Sequence, residues 1–220
     1  MKLDALVPVK RLSAAKSRLV PGPDRAAAGR LTLAMLDDVL AALRGATRIA
    51  RVAVVTPDDE VAAHAEAAGA LPVLRPDPGL NASLDEGAAW LAGHGGAAPG
   101  GLLVVLGDVA GASASDLDAA CAGLLELGRP GTVLCPARDG GTAALARAPH
   151  DAIPVCFGPG SAARHRAAAA AAGVPLRELA LPSLAVDLDE PGDVRAFLAA
   201  AGTGGGVHTR RALIELGWLP

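Results

Sequence analysis

Four cations, Lys10, Arg11, Lys16 and Arg18, enter the chain directly behind its first apolar run, which closes on Val7-Pro8-Val9. A cationic loop between a strand and a helix N-terminus can neutralise a phosphate chain alongside oriented backbone amides. Lys10 and Lys16 are the only lysines besides Lys2 in an arginine-rich chain, and both fall in this loop. The N-terminal region adds Arg25 and Arg30 against Asp4 and Asp24, whereas the whole chain carries a net charge of −3. Positive charge this local suits a small anionic ligand better than a polyanion.

Carboxylates form the second group. Leu102-Leu103-Val104-Val105-Leu106-Gly107-Asp108 reads as an apolar strand that delivers a carboxylate at its C-terminal end. A hard oxygen ligand there suits magnesium, which binds through one or two carboxylates together with substrate phosphates. In Val186-Asp187-Leu188-Asp189-Glu190-Pro191, an extended backbone places Asp187 and Asp189 on the same side. Two carboxylates so close repel unless a cation lies near them. Helix capping is the competing reading, because Asp108 precedes a helix and Asp189 stands just before Pro191.

Small and polar residues form the third group. Gly140-Gly141-Thr142 and Phe157-Gly158-Pro159-Gly160-Ser161 offer free amides and hydroxyls, the second at a helix start whose positive end would face an anion. Ser161 could equally cap that helix. Ser161 and His165 share a helix face, but no acidic orienter or oxyanion loop accompanies them, which argues against a nucleophilic dyad. Asn81, in Gly79-Leu80-Asn81, lies at another strand-to-helix turn, where it could bond a base or ribose or cap its helix.

Several classes are disfavoured. The chain has no GxxxxGK[ST], HExxH or GxSxG, and no GxGxxG behind a strand, which argues against Walker ATPases, zincins and α/β-hydrolases. Its aromatics are Phe157, Phe197, Trp90 and Trp218, with no tyrosine, too few for base-stacking platforms on single-stranded nucleic acid. Cys121, Cys135 and Cys156 are odd in number and lack CxxC spacing. They read as buried reduced thiols within apolar runs. No long uncharged apolar stretch exists and Asp4 interrupts the N-terminus, so a cytoplasmic protein with neither membrane nor nucleic-acid partner is expected.

These residues need a scaffold. Apolar periodicity predicts strands over 3–9, 52–56, 71–74, 102–106, 132–136, 143–148 and 176–181. Helices are predicted over 24–43, 58–68, 81–92, 115–127, 161–172 and 191–201. Alternating strands and crossover helices imply a doubly wound α/β fold with a mostly parallel sheet. The irregular middle, 136–160, is expected to add an antiparallel strand or two. Ligands of such sheets bind at the carboxyl ends of the strands, where the Lys10 loop, Asp108 and Asp187 fall. One domain is expected over 1–202, then a flexible joint at Thr203-Gly204-Gly205-Gly206 and a tail to residue 220.

Taken in order, Val7-Pro8-Val9-Lys10 through Lys16-Ser17-Arg18-Leu19, Gly79-Leu80-Asn81, Gly107-Asp108, Gly140-Gly141-Thr142, Phe157-Gly158-Pro159-Gly160-Ser161 with His165, and Asp187-Leu188-Asp189 resemble the 2-phospho-L-lactate guanylyltransferase family. The resemblance covers nearly the whole chain. It implies a single-domain nucleotide-diphospho-sugar transferase fold of the glycosyltransferase-A-like kind. It also implies a nucleotidyltransferase that joins GTP to 2-phospho-L-lactate, phosphoenolpyruvate or 3-phospho-D-glycerate and releases pyrophosphate, in coenzyme F-420 biosynthesis. By the same resemblance Lys10, Lys16 and Arg18 hold the GTP phosphates, with Pro8, Val9, Asn81 and Gly107 also at the nucleotide. Asp108 and Asp187, with Asp189, bind magnesium, and Thr142, Gly158 and Ser161 hold the phosphorylated acid. A homodimer is compatible with the sequence. Asp108 is followed by Val109-Ala110 where the family usually has Leu-Pro, a change expected to free the loop, and Ala143 replaces a common Asn. A nucleotidyltransferase for another nucleotide and a sugar or polyol phosphate, or a non-catalytic GTP-binding module, would share much of this pattern.

Overall fold

The computed structural model describes residues 1–14, 25–94, 100–202 and 205–219. Its strands are β1 (Leu3–Pro8), β2 (Ile49–Thr56), β3 (Leu71–Leu74), β4 (Leu102–Val105), β5 (Gly131–Pro136), β6 (Thr142–Ala148) and β7 (Leu176–Glu178). They form one sheet in the order β3-β2-β1-β4-β6-β5-β7. Every strand runs the same way except β6, which is antiparallel to both β4 and β5. The expected antiparallel insertion is therefore β6, and β7 stops sooner than the predicted 176–181.

Helices α1 (Arg25–Gly45), α2 (Asp59–Ala67), α3 (Leu80–Gly93), α4 (Ala114–Leu127), α5 (Ser161–Ala172), α6 (Asp193–Ala201) and α7 (Val207–Glu215) complete the described elements. Side chains of one strand alternate between faces, and the core divides accordingly. Leu3, Ala5 and Val7 of β1 pack with α1, α2 and α4, whereas Leu6 packs with Leu84 and Ala88 of α3 and with Ala162 and Ala169 of α5. The sheet is thus buried on both faces, as a largely parallel sheet requires. Asp4, on the α3 side, is 3% exposed and pairs with Arg51, whose guanidinium also donates to the Leu91 and His94 carbonyls at the end of α3.

The residues beyond 202, given no structural role from sequence, include a docked helix. A third apolar cluster joins the start of α1 to Phe197 of α6 and Leu213 of α7. Asp38 of α1, 7% exposed, accepts from the His208 and Thr209 backbone N–H groups at 3.0 and 2.8 Å, capping α7 from outside it. Thr203 and Gly204 of the expected joint lie outside the described residues. Asp38→Ala strips two N–H groups at a helix start of their acceptor and should cost about 2 kcal/mol. A melting temperature lower by about 4–8 °C in calorimetry is the expected result.

Candidate active site

The site is built where β1, β2 and β4 end. Pro8, Val9, Lys10, Gly107, Asp108 and Asp189 line one cleft of about 240 Å³, with Val55, Pro57, Asp77, Leu80 and Ser83 across from them. Gly107 brings the exit of β4 close against that of β1. A Cβ on Gly107 would lie 3.1 Å from both the Pro8 carbonyl oxygen and Val9 Cγ2, so any side chain here would push the two strand exits apart by a few tenths of an ångström. Lys16 and Arg18 lie outside the described residues.

The basic loop is pinned by a residue that its own sequence does not reveal. Asp58 Oδ1 accepts from the Glu60 N–H and caps α2, while Oδ2 accepts from the Leu12 N–H at 2.9 Å. The Leu12 side chain is buried in the core, so the chain behind Lys10 and Arg11 is fixed at both backbone and side chain.

Asp108 and Asp189 do not cap helices: α4 is capped by Ser113, and the Asp193 side chain accepts from the N–H groups of Asp189 and Glu190. Residues 186–189 carry no strand. Asp187 is half-buried, Leu188 is buried and Asp189 is exposed, and the Leu188 N–H donates to the Asp108 carbonyl at 3.3 Å. Burial, and then the neighbouring Asp108 charge, push Asp187 up to about 6, with Asp189 and Asp139 adding to the rise. Among the described residues no three His, Cys, Asp or Glu side chains are spaced to hold a metal by themselves. Asp108, which lines the cleft, and Asp187, which it crowds, do fit magnesium whose remaining positions are filled by substrate oxygens.

Beside this cleft, residues 153–160 form a strap held from below. Arg147, 2% exposed, donates to the Ile153 carbonyl at 2.6 Å. The Asn81 amide both accepts from the Phe157 N–H at 2.8 Å and donates to the Phe157 carbonyl at 3.2 Å. Arg164 donates to the carbonyls of Cys156, Phe157 and Pro159. Asn81 therefore neither caps its helix, whose N-cap is Gly79, nor leaves its amide uncommitted. Gly158 has φ +116°, a conformation that a side chain would strain.

His165 closes the arrangement. The Cys156 N–H donates to His165 Nε2 at 2.8 Å, which leaves the ring proton on Nδ1, 3.0 Å from Thr142 Oγ1. Ser161 Oγ donates to the same Thr142 oxygen at 3.0 Å. Ser161 is the first residue of α5 rather than its cap, which is Gly160. Thr142 and Ser161 are 2% and 1% exposed. The structure thus brings Thr142, Ser161 and the Gly158 strap together at one end of α5.

Burial, then the Arg147 and Arg164 charges, push His165 down to about 4. The unfolded chain then binds a proton that the folded chain refuses between about pH 6.5 and 4, so the contribution of His165 to stability falls as pH drops through that window. The slope approaches about 1.4 kcal/mol per pH unit. Asp187 titrates with the opposite sign over the same range, so the effect is read from thermal melts as a difference: the gap in melting temperature between the unmodified protein and His165→Asn should narrow as pH falls from 7 to 4.5.

A protein-family model described as "Guanylyl transferase CofC like" matches residues 3–218. A phosphoenolpyruvate guanylyltransferase of Sphaerobacter thermophilus is 43% identical over 203 residues, covering 91% of this chain and 94% of that one. The chain belongs to the CofC-like guanylyl transferase family. A 3-phospho-D-glycerate guanylyltransferase of Phenylobacterium zucineum is 41% identical over 195 residues, covering 86% of this chain and 87% of its own. Among solved structures, a putative nucleotide-diphospho-sugar transferase from Desulfovibrio desulfuricans superposes with a TM-score of 0.75 at 14% identity, covering 98% of this chain and 97% of that one. The expected nucleotide-diphospho-sugar transferase fold is therefore the one observed, and this guanylyl transferase is a nucleotidyltransferase.

Two expectations about the guanylyl transferase change. The loop after Asp108 is not freed by the missing proline: Val109 and Ala110 are fully buried, and backbone bonds from Val109 N–H to Leu106 and from Ala112 N–H to Val109 close it as a turn. Cys121 and Cys135 are buried thiols that burial pushes up to about 12, but Cys156 is half-buried in the strap, outside any strand or helix. Among the described residues no helix is long and apolar enough to cross a membrane. Asp58, Arg147 and Arg164 are the positioning residues absent from the sequence reading. Only Asp58 had a local signal, as a helix N-cap behind a strand.

Proposed function

We propose that this guanylyl transferase transfers GMP from GTP to the phosphate of a small phosphorylated carboxylic acid, releasing pyrophosphate, as a step of coenzyme F-420 biosynthesis. The observation that carries this reading is the shared cleft of Lys10, Gly107 and Asp108 beside the Thr142, Gly158 and Ser161 cluster. The names of the relatives, phosphoenolpyruvate and 3-phospho-D-glycerate guanylyltransferase, support the acid class.

A phosphate monoester has its second pKa near 6 and is already anionic at neutral pH, so the reaction needs no side-chain base. Its oxygen attacks the α-phosphorus of GTP. A new phosphorus–oxygen bond forms as the bond to the β-phosphate oxygen breaks, and pyrophosphate leaves with that electron pair. Lys10 and the basic loop neutralise the triphosphate, and the Thr142 to Ser161 cluster orients the acid so that attack is in line. Magnesium held by Asp108 and Asp187, with Asp189, would neutralise phosphate charge as pyrophosphate departs. His165, buried and fully hydrogen-bonded, supports the acid site rather than moving a proton.

The test is incubation with GTP and magnesium against 2-phospho-L-lactate, phosphoenolpyruvate and 3-phospho-D-glycerate, read by pyrophosphate and product mass. Pyrophosphate with one of the three and a guanosine-diphospho-acid product is expected. No pyrophosphate with any of them would defeat the proposal.

A further inference from the structure

Among the described residues, Asp77 is the one acidic residue lining the cleft that the phosphate and metal roles leave unused. Strand order fixes its distance from the chemistry. Asp108 leaves β4, Lys10 leaves β1, Val55 and Pro57 belong to the exit of β2, and Asp77 lies between β3 and α3. The strands lie in the order β3-β2-β1-β4, so about 14 Å of sheet separates the exit of β3 from that of β4 at the usual strand spacing. A carboxylate beside a triphosphate would repel it. At the far end of the same cleft a carboxylate stands clear of the phosphates and suits the nucleoside end of the nucleotide.

The surroundings there suit a base. Val9, Val55, Pro57 and Leu80 supply apolar walls, and Asp77 is oriented by its own turn, with Oδ1 accepting from the Gly79 N–H at 3.0 Å. Gly79 permits that turn with φ +105°. An ionised carboxylate is acceptor-only. Guanine offers it two adjacent donors, N1–H and the 2-amino group, whereas adenine presents a bare N1 at that position.

We infer that Asp77 is a specificity-determining residue that reads the Watson–Crick edge of guanine. The inference rests on the GTP-dependent reading above. Asp77→Asn is the informative variant because it retains an oxygen to accept from Gly79 while placing a donor against the donor edge of guanine. In the full-length chain with magnesium, kcat/KM should be compared for GTP, for ITP, which lacks the 2-amino group, for 2′-deoxy-GTP and for ATP. The unmodified protein should prefer GTP to ITP by about tenfold or more, as expected for one hydrogen bond to a charged acceptor. The Asn variant should lose about ten- to a hundredfold with GTP and most of its preference over ITP. An unchanged GTP-to-ITP ratio overturns the inference, whether GTP use is intact, leaving Asp77 only a turn residue, or lost together with discrimination against 2′-deoxy-GTP, making it a ribose ligand. Calorimetric affinities for GTP and ITP give the same ratio without turnover. A protein that binds GTP selectively but releases no pyrophosphate would therefore sink the proposed reaction and still decide Asp77.

Discussion

Replacing Asp187 with Asn is expected to raise the melting temperature at pH 7.5 by about 3–6 °C while lowering magnesium-dependent pyrophosphate release roughly 10²–10³-fold. Both effects come from one carboxylate. Burial and the neighbouring Asp108 push Asp187 up to about 6 from an ordinary 3.8. A raised carboxylate pKa means that the folded chain binds the proton more tightly than the unfolded chain. The contribution of Asp187 to stability is therefore highest below about pH 4 and declines as pH rises to 6, opposite in sign to that of His165 over the same window. At neutral pH the ionised Asp187 costs about 1–3 kcal/mol, which a neutral amide of the same shape removes. The difference in melting temperature between the two proteins should vanish below about pH 4. Adding magnesium with GTP should stabilise the unmodified protein and leave the variant nearly unmoved. An unstabilised variant with full turnover would remove Asp187 from the proposed metal site.

How much of this could be read in the residues depends on the range over which each signal acts. Strands β1 to β4 and the helices between them declare themselves through local apolar runs, and they carry Lys10, Gly107 and Asp108 to the same edge because parallel strands end together. Helix α7 escaped because its nine residues sit behind Thr203-Gly204-Gly205-Gly206 and its cap is Asp38, 170 positions away from His208. The tether from Asp58 to Leu12 spans 46 positions. Thr142, Cys156 and His165 likewise meet only after β6 and α5 have folded together. The residue types of the site were thus legible, whereas the side chains that aim them were not.

Asn81 is where those two levels separate most sharply, because resemblance assigns it to the nucleotide and geometry ties it to the strap. Leu80 and Ser83, its neighbours on α3, line the cleft of Lys10 and Asp108, but the Asn81 amide holds the Phe157 backbone by two hydrogen bonds. Asn81→Leu preserves bulk and deletes both bonds, leaving the Phe157 N–H without its acceptor and the Phe157 carbonyl with Arg164 alone, at a cost of about 1–3 kcal/mol. That cost falls on the position of Gly158 and Ser161, so the KM for the phosphorylated acid should rise about ten- to a hundredfold with the KM for GTP nearly unchanged. Steady-state kinetics varying each substrate in turn separate the alternatives. A selective rise in the GTP KM would mean that Asn81 contacts the nucleotide directly and that the strap is held well enough by Arg164 and His165 alone. A rise in the acid KM alone would make Asn81 the link through which α3, on the wall of the cleft, sets the geometry of the second substrate.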